Sequence, residues 1–145
     1  MALSDYGPVE DILEIQQLLA KYAVAMTQND VARVVEVFTE DGTYSAFGDT
    51  YQLVDFPALV EAAPKGLFMV GPPLLSLDGD TGSGEQPLLF MEQTTHDERI
   101  GWYADTYRRT PAGWRLATRK MTFLRRDGSR NSGIAHDPRR PAPSV

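Results

Sequence analysis

The chain has 145 residues, a hydrophobic share of 42%, a charged share of 23% and a net charge of −6, which fits one globular domain with enough apolar material for a core. With no cysteine and two histidines, disulfides, thiolate nucleophiles and zinc–cysteine or all-histidine metal sites are excluded, and we expect no metal. Five of the 14 basic residues but two of the 20 acidic ones follow Leu124, so the body is acidic and repels phosphate backbones; no nucleic-acid partner is expected.

Ile12, Ile15, Leu19, Tyr22 and Met26 recur at steps of three and four, so Val9 to about Met26 reads as an amphipathic helix. "QND" interrupts it, with Asn29 or Asp30 as N-cap, and Val31, Val34, Val35 and Phe38 form the stripe of a second, short helix. "TEDG" reads as a turn and Thr43 to Phe47 as a short strand. Leu53, Phe56 and Val60 mark a third helix, which tolerates Pro57 in its first turn.

Beyond "APKG" the pattern turns to strands. Leu67 to Val70 and Leu74 to Leu77 are apolar runs with a bend at "GPP", since proline cannot donate to a ladder. "LDGDTG" is a tight turn, Gly84 to Met91 the returning strand, and "EQTTHDE" a polar loop. Ile100 to Arg109 and Trp114 to Arg125 make a hairpin across "TPAG". Helices first and antiparallel strands after argue for an α+β fold, with three N-terminal helices on one face of a curved sheet. We read residues 1–124 as a single domain and 125–145 as a C-terminal arm. No run reaches the roughly 18 apolar residues of a spanning helix, and "MALSDYGPVED" lacks the basic and apolar parts of a signal peptide. The expectation is a cytoplasmic protein with no membrane partner.

"LLAKYAVAMTQNDVARVVEVFTEDGTYS", "LDGDTG" and "GWYADTYRRTPAGWRLATRKMTF" together resemble the SnoaL-like branch of the nuclear transport factor 2-like superfamily, over about Asp11 to Phe123. The resemblance implies a cone of strongly curved, antiparallel or mixed sheet and three helices, open at one end to an apolar pocket and commonly dimeric through the sheet's outer face. It implies proton removal beside an activated carbon, without cofactor, as in dehydratase, dehydrochlorinase and cyclase members. In those members a histidine is the base and an aspartate at the end of the first helix orients it. Alignment of the first helix places that aspartate at Thr27, and the histidine falls at Leu67 or Phe68. Both groups are therefore absent, as expected when a dyad works as a unit. The dehydrochlorinase's arginine falls on Arg119.

Period two from Arg119 places Arg115, Ala117, Met121 and Phe123 on its face, and Tyr103, Asp105 and Tyr107 on one face of the neighbouring strand. If those faces line the cone, Asp105, Tyr44 and Arg119 are the catalytic candidates, with Tyr22, Thr27, Phe68, Tyr103 and Met121 binding substrate. Asp105 is a general acid or base if Arg119 leaves it unneutralised; otherwise the two form an ion pair that holds register. Thr27 is either part of the pocket or a helix-end hydroxyl bonded to a carbonyl one turn earlier. Tyr22 and Tyr44 are either hydroxyl donors or packing residues. Trp102 and Trp114 are expected on the sheet's outer face, in keeping with a homodimer; the side taken by Glu85 stays open. His96 falls in a hairpin loop, and His136 in a tail that either folds over the mouth or stays at the surface.

Three functions fit: a cofactor-independent lyase or isomerase on an apolar cyclic molecule such as a polyketide, steroid or terpenoid; a non-catalytic binding or scaffold protein that kept the cone; and, third, an epoxide hydrolase.

Overall fold

Helix α1 spans Val9–Gln28 and buries Ile12, Ile15, Leu18, Leu19, Tyr22 and Ala25, the stripe set by its 3.6-residue period. These features belong to a computed structural model that describes residues 2–130 and 140–144; His136 lies outside the described residues. Asn29 ends α1 in the left-handed region (φ 57°), and the Asp30 carboxylate then accepts a hydrogen bond from the Arg33 N–H, capping α2 (Val31–Glu36). Asn29 and Asp30 thus divide the roles of C-cap and N-cap. Phe38, read as the end of the second stripe, instead opens strand β1 (Phe38–Ala46).

"TEDG" is not a free turn. It is an irregularity inside β1, which pairs Phe38 with Leu116 and next Thr43 with Thr118 on β7. A Cβ at Gly42 would lie 2.8 Å from the Thr39 carbonyl oxygen, so the detour is tight enough to require glycine. Phe47 and Gly48, with φ 53° and 84°, then reverse the chain into β2 (Asp49–Gln52), a strand not foreseen in the sequence. A short turn, Leu53–Asp55, leads into α3 (Phe56–Ala62), with Pro57 in the first turn as expected.

Strands β3 (Gly66–Val70) and β4 (Leu74–Asp78) both pair with the long β5 (Thr81–Glu92), β3 along its second half and β4 along its first; the "GPP" break lets one chain change places along one partner. β6 (Glu98–Thr110) and β7 (Gly113–Leu124) complete the sheet, in order β2-β1-β7-β6-β5-β3 with β4 beside β5. The β1–β7 pairing is parallel and the others are antiparallel, so the curved sheet is mixed and the fold is α+β. No helix among the described residues is long and apolar enough to cross a membrane.

One irregularity decides which side chains face the core. Thr106 pairs with Thr118 but Tyr107 pairs with Leu116, so Ala117 is an unpaired bulge residue in β7. Beyond it the inward phase moves by one: Leu116 and Trp114, not Arg115, share the buried face with Arg119 and Met121. The expectation that Arg115 lies beside Arg119, and that Trp114 covers the outer face, is corrected by this bulge. Trp114 is fully buried, its indole N–H donates to Asp11 at 3.0 Å, and the Arg109 guanidinium stacks 4.7 Å from its ring centre while pairing with both Asp11 oxygens. This tie between α1 and the β6–β7 hairpin closes one end of the sheet.

Candidate functional site

At the opposite end of the sheet an apolar cavity of about 120 Å³ opens to the surface. Tyr22 and Met26 from α1, Phe56 from α3, Phe68 from β3 and Met121 from β7 are among its walls. Edge-on contacts fix the aromatic positions: Tyr22 against Tyr103 at 5.9 Å and Phe38 against Phe56 at 4.7 Å between ring centres, with Phe68 tilted on Phe90 at 4.8 Å. Tyr44, half-buried, joins them from β1.

The phenols supply the cavity's hydroxyl groups. Burial pushes the Tyr22, Tyr44 and Tyr103 hydroxyls above the ordinary phenol range, with Arg119 acting in the opposite direction on each; neutral phenols are hydrogen-bond donors at physiological pH. The Arg119 guanidinium lies 3.7 Å from the Tyr103 ring centre and 4.6 Å from that of Tyr22, so a fixed positive charge sits under both rings.

Asp105 and Arg119 pair directly across β6 and β7, but neither lines the cavity. Both side chains are fully buried. Arg119 Nε and Nη2 each donate to a different Asp105 oxygen at 2.8 Å, Tyr107 donates its hydroxyl to the same carboxylate at 2.9 Å, and Gln86 accepts from Nη2 at 3.0 Å. The carboxylate is thus paired with a guanidinium and accepts three hydrogen bonds, which is the ion-pair arm of the alternative raised by the sequence. Gln86, not Glu85, turns inward, and its amide is held by the Gly71 carbonyl at 3.0 Å. Neither Gln86 nor Tyr107 was singled out for this cluster; Tyr107 was legible as the next inward residue of β6, whereas Gln86 depended on a strand phase that a single sequence leaves open.

The two positions that the family resemblance marked for a dyad are neighbours. Thr27 Oγ1 donates to the Ala23 carbonyl at 2.8 Å, as the helix-end reading expected, and accepts from the Phe68 N–H at 3.0 Å. Phe68 is among the residues of the cavity wall and Thr27 is not. His96 is exposed in the β5–β6 loop with φ 60° and is not among the residues of the cavity wall.

Among the described residues the charged side chains in the wall are Arg99 and Arg140. Arg140 pairs with Asp49 at 2.8 Å and donates to the Tyr51 hydroxyl, which itself donates to the Pro141 carbonyl at 2.7 Å, so Arg140 and Pro141 are moored on β2. Among the described residues no cluster of three or more histidine or carboxylate side chains is placed to hold a metal.

The model of the SnoaL-like domain family matches residues 8–120. The chain is 32% identical over 126 residues to the uncharacterized protein Rv2910c of Mycobacterium tuberculosis, covering 79% of this chain and 86% of that one. It is similar to the solved structure of a nuclear transport factor 2-like protein with a cystatin-like fold from Novosphingobium aromaticivorans, at 28% identity over 83% of this chain and 85% of that one, with a TM-score of 0.74. A hexachlorocyclohexane dehydrochlorinase shares the fold at 14% identity, with a TM-score of 0.68 over 87% of this chain and 92% of its own. Sequence, curved mixed sheet and cavity agree, and the chain belongs to the SnoaL-like domain family, on the nuclear transport factor 2-like fold.

Proposed function

We propose that this protein is a cofactor-independent pocket protein that takes up an apolar cyclic molecule, such as a polyketide, steroid or terpenoid, and donates phenolic hydrogen bonds to its oxygen. The observation that carries the reading is the chemistry of the wall: aromatic and aliphatic surface interrupted by Tyr22, Tyr44 and Tyr103. Protonated phenols and guanidiniums are donors, and proton abstraction needs an acceptor. Thr27 and Phe68 stand where the family's dyad would be, and the Asp105 oxygens are committed to Arg119 and Tyr107. Binding and polarisation of a carbonyl is therefore the function best supported.

A lyase or isomerase is the second reading, favoured by the buried ion pair beneath Tyr22 and Tyr103, which a passive apolar pocket does not require. In that reading Tyr44 or Tyr22 polarises a carbonyl, Arg119 offsets developing negative charge, and Asp105 carries the proton when its pair opens. Titration of the purified protein with a cyclic ketone and its hydrocarbon counterpart separates the possibilities. Tighter binding of the ketone, weakened in Tyr22→Phe, supports the pocket; turnover that disappears in a folded Asp105→Asn variant supports the enzyme; no binding of either compound refutes both.

The proposal includes a cytoplasmic homodimer. Leu67, Met69 and Ile100 are 41%, 53% and 45% exposed, and register brings Met69 and Ile100 to either side of Leu89 on the outer face, an apolar patch suited to a second copy. Light scattering that gives the mass of a monomer at micromolar concentration would remove this part.

A further inference from the structure

We infer that the ligand of this cavity is an apolar carboxylic acid, its carboxylate held at the mouth by a cluster of arginines while its ring system fills the aromatic interior. This rests on the binding reading above and specifies the ligand for it.

Three guanidiniums lie over rings of the cavity wall at one end of the sheet. Arg99 is 5.8 Å from the centre of the Phe90 ring, and Arg125 and Arg140 are 5.6 and 5.5 Å from that of Phe47. The strand pairings place them together: Arg99 is opposite Phe90, Gly101 is opposite Phe123, Phe123 stacks on Phe47 at 5.2 Å, and Arg125 follows β7 directly. Rings Phe47, Phe90 and Phe123 thus form an apolar collar with cations set on it.

The sign of this collar runs against that of the molecule. The chain carries 20 acidic and 14 basic residues, yet among the described residues the cavity wall contains two arginines and no carboxylate. Asp49 pairs with Arg140 from outside the wall and balances one charge. Arg99 and Arg125 also make contacts within the protein, and a guanidinium has five N–H donors in a planar fork, so a ligand carboxylate can share it. Stacking on rings keeps the guanidinium weakly hydrated and favours a flat, two-pronged acceptor over a spherical ion. The inner end differs: its polar groups are the hydroxyls of neutral phenols, suited to an uncharged oxygen. A ligand with a neutral oxygen at one end of an apolar body and a carboxylate at the other matches both ends.

The test uses the full chain and a pair of probes with one shape, 6-acetyl-2-naphthoate and its primary amide, titrated calorimetrically at low and high salt. The acid should bind about tenfold tighter than the amide at low salt. The difference should shrink with salt and in Arg99→Gln or Arg125→Gln variants whose melting curves confirm folding. Equal affinity for acid and amide, or a preference for the acid that survives in both variants, overturns the inference while leaving the pocket reading intact. Failure of both probes to bind overturns the two together.

Discussion

Thr27 and Phe68 are joined by a hydrogen bond, the Phe68 N–H donating to Thr27 Oγ1 at 3.0 Å, and the same hydroxyl donates to the Ala23 carbonyl at 2.8 Å. The end of α1 is thereby tied to β3, the strand that carries Phe68 into the cavity. Thr27→Val should lower stability by about 1 kcal/mol, because one N–H loses its acceptor, whereas Thr27→Ser should stay within a few tenths. Chemical denaturation of the three proteins measures both differences.

The same adjacency predicts what a rebuilt dyad would do. An imidazole introduced by Phe68→His alone should titrate below the ordinary value of about 6.5, since burial disfavours its charged form. Adding Thr27→Asp places a carboxylate beside it and should move that titration upward. Proton NMR of the imidazole resonances follows both; an unchanged value in the double variant would mean that the two side chains do not meet.

Arg119 and Asp105 are each other's compensation. Arg119→Met leaves a carboxylate buried with only Tyr107 as donor and should cost about 3–5 kcal/mol, whereas Asp105→Leu with Arg119→Met should lose less than the sum of the two single changes. A double-mutant cycle by urea unfolding gives the coupling. Additive losses would show that the pair contributes no interaction energy.

At high pH the buried phenols set the limit. Tyr22, Tyr44, Tyr103 and Tyr107 are all pushed up by burial, whereas unfolded tyrosines ionise near pH 10. Between the unfolded and folded values the native state holds more protons, so stability is intact below about pH 10 and falls as pH rises past it. Phenolate absorbance from these four should appear together with loss of helix signal in circular dichroism, in one transition. Early phenolate without unfolding would contradict their burial.

At low pH the closed end of the sheet is the sensitive one. Hydrogen bonds from Arg109 and then Trp114 hold the Asp11 carboxyl below the usual carboxylate range. The native state therefore binds fewer protons near pH 4, and the stabilisation present above that pH is lost as pH falls through the folded value. Asp11→Asn should be less stable at pH 7 and show a flatter decline below about pH 5, as followed by thermal melts across pH.

Much of this architecture was legible because it is written in periodicity. The spacing Ile12, Ile15, Leu19, Tyr22 marks α1, and "TPAG" marks the β6–β7 hairpin, each by local geometry alone. What escaped depends on partners distant in sequence. β2 is a four-residue strand whose pairing with β1 hangs on the positive φ of Phe47, which no composition rule announces. Trp114 was assigned to the wrong face because Ala117 breaks the alternation, and a bulge is set by the neighbouring strand. Asp105 and Arg119 were found as a pair, but their retreat behind the cavity wall, and the part of Gln86 in it, depended on how far the tyrosines reach above them.

The unpaired Ala117 also divides β7 into two stretches with opposite rules of substitution. From Thr118 onward odd-numbered positions are intolerant of polarity changes, and from Leu116 backward even-numbered ones are. Deleting Ala117 alone would bring Leu116 beside Thr118 in an unbroken ladder and keep Leu116 and Trp114 on the buried face, so the Asp11–Arg109–Trp114 clasp should survive it, whereas giving Ala117 a ladder partner by a one-residue slip would turn both toward water. A single residue with no ladder partner thus lets one strand serve two masters: an anchored base that can evolve for stability, and a receptive tip free to change what it holds.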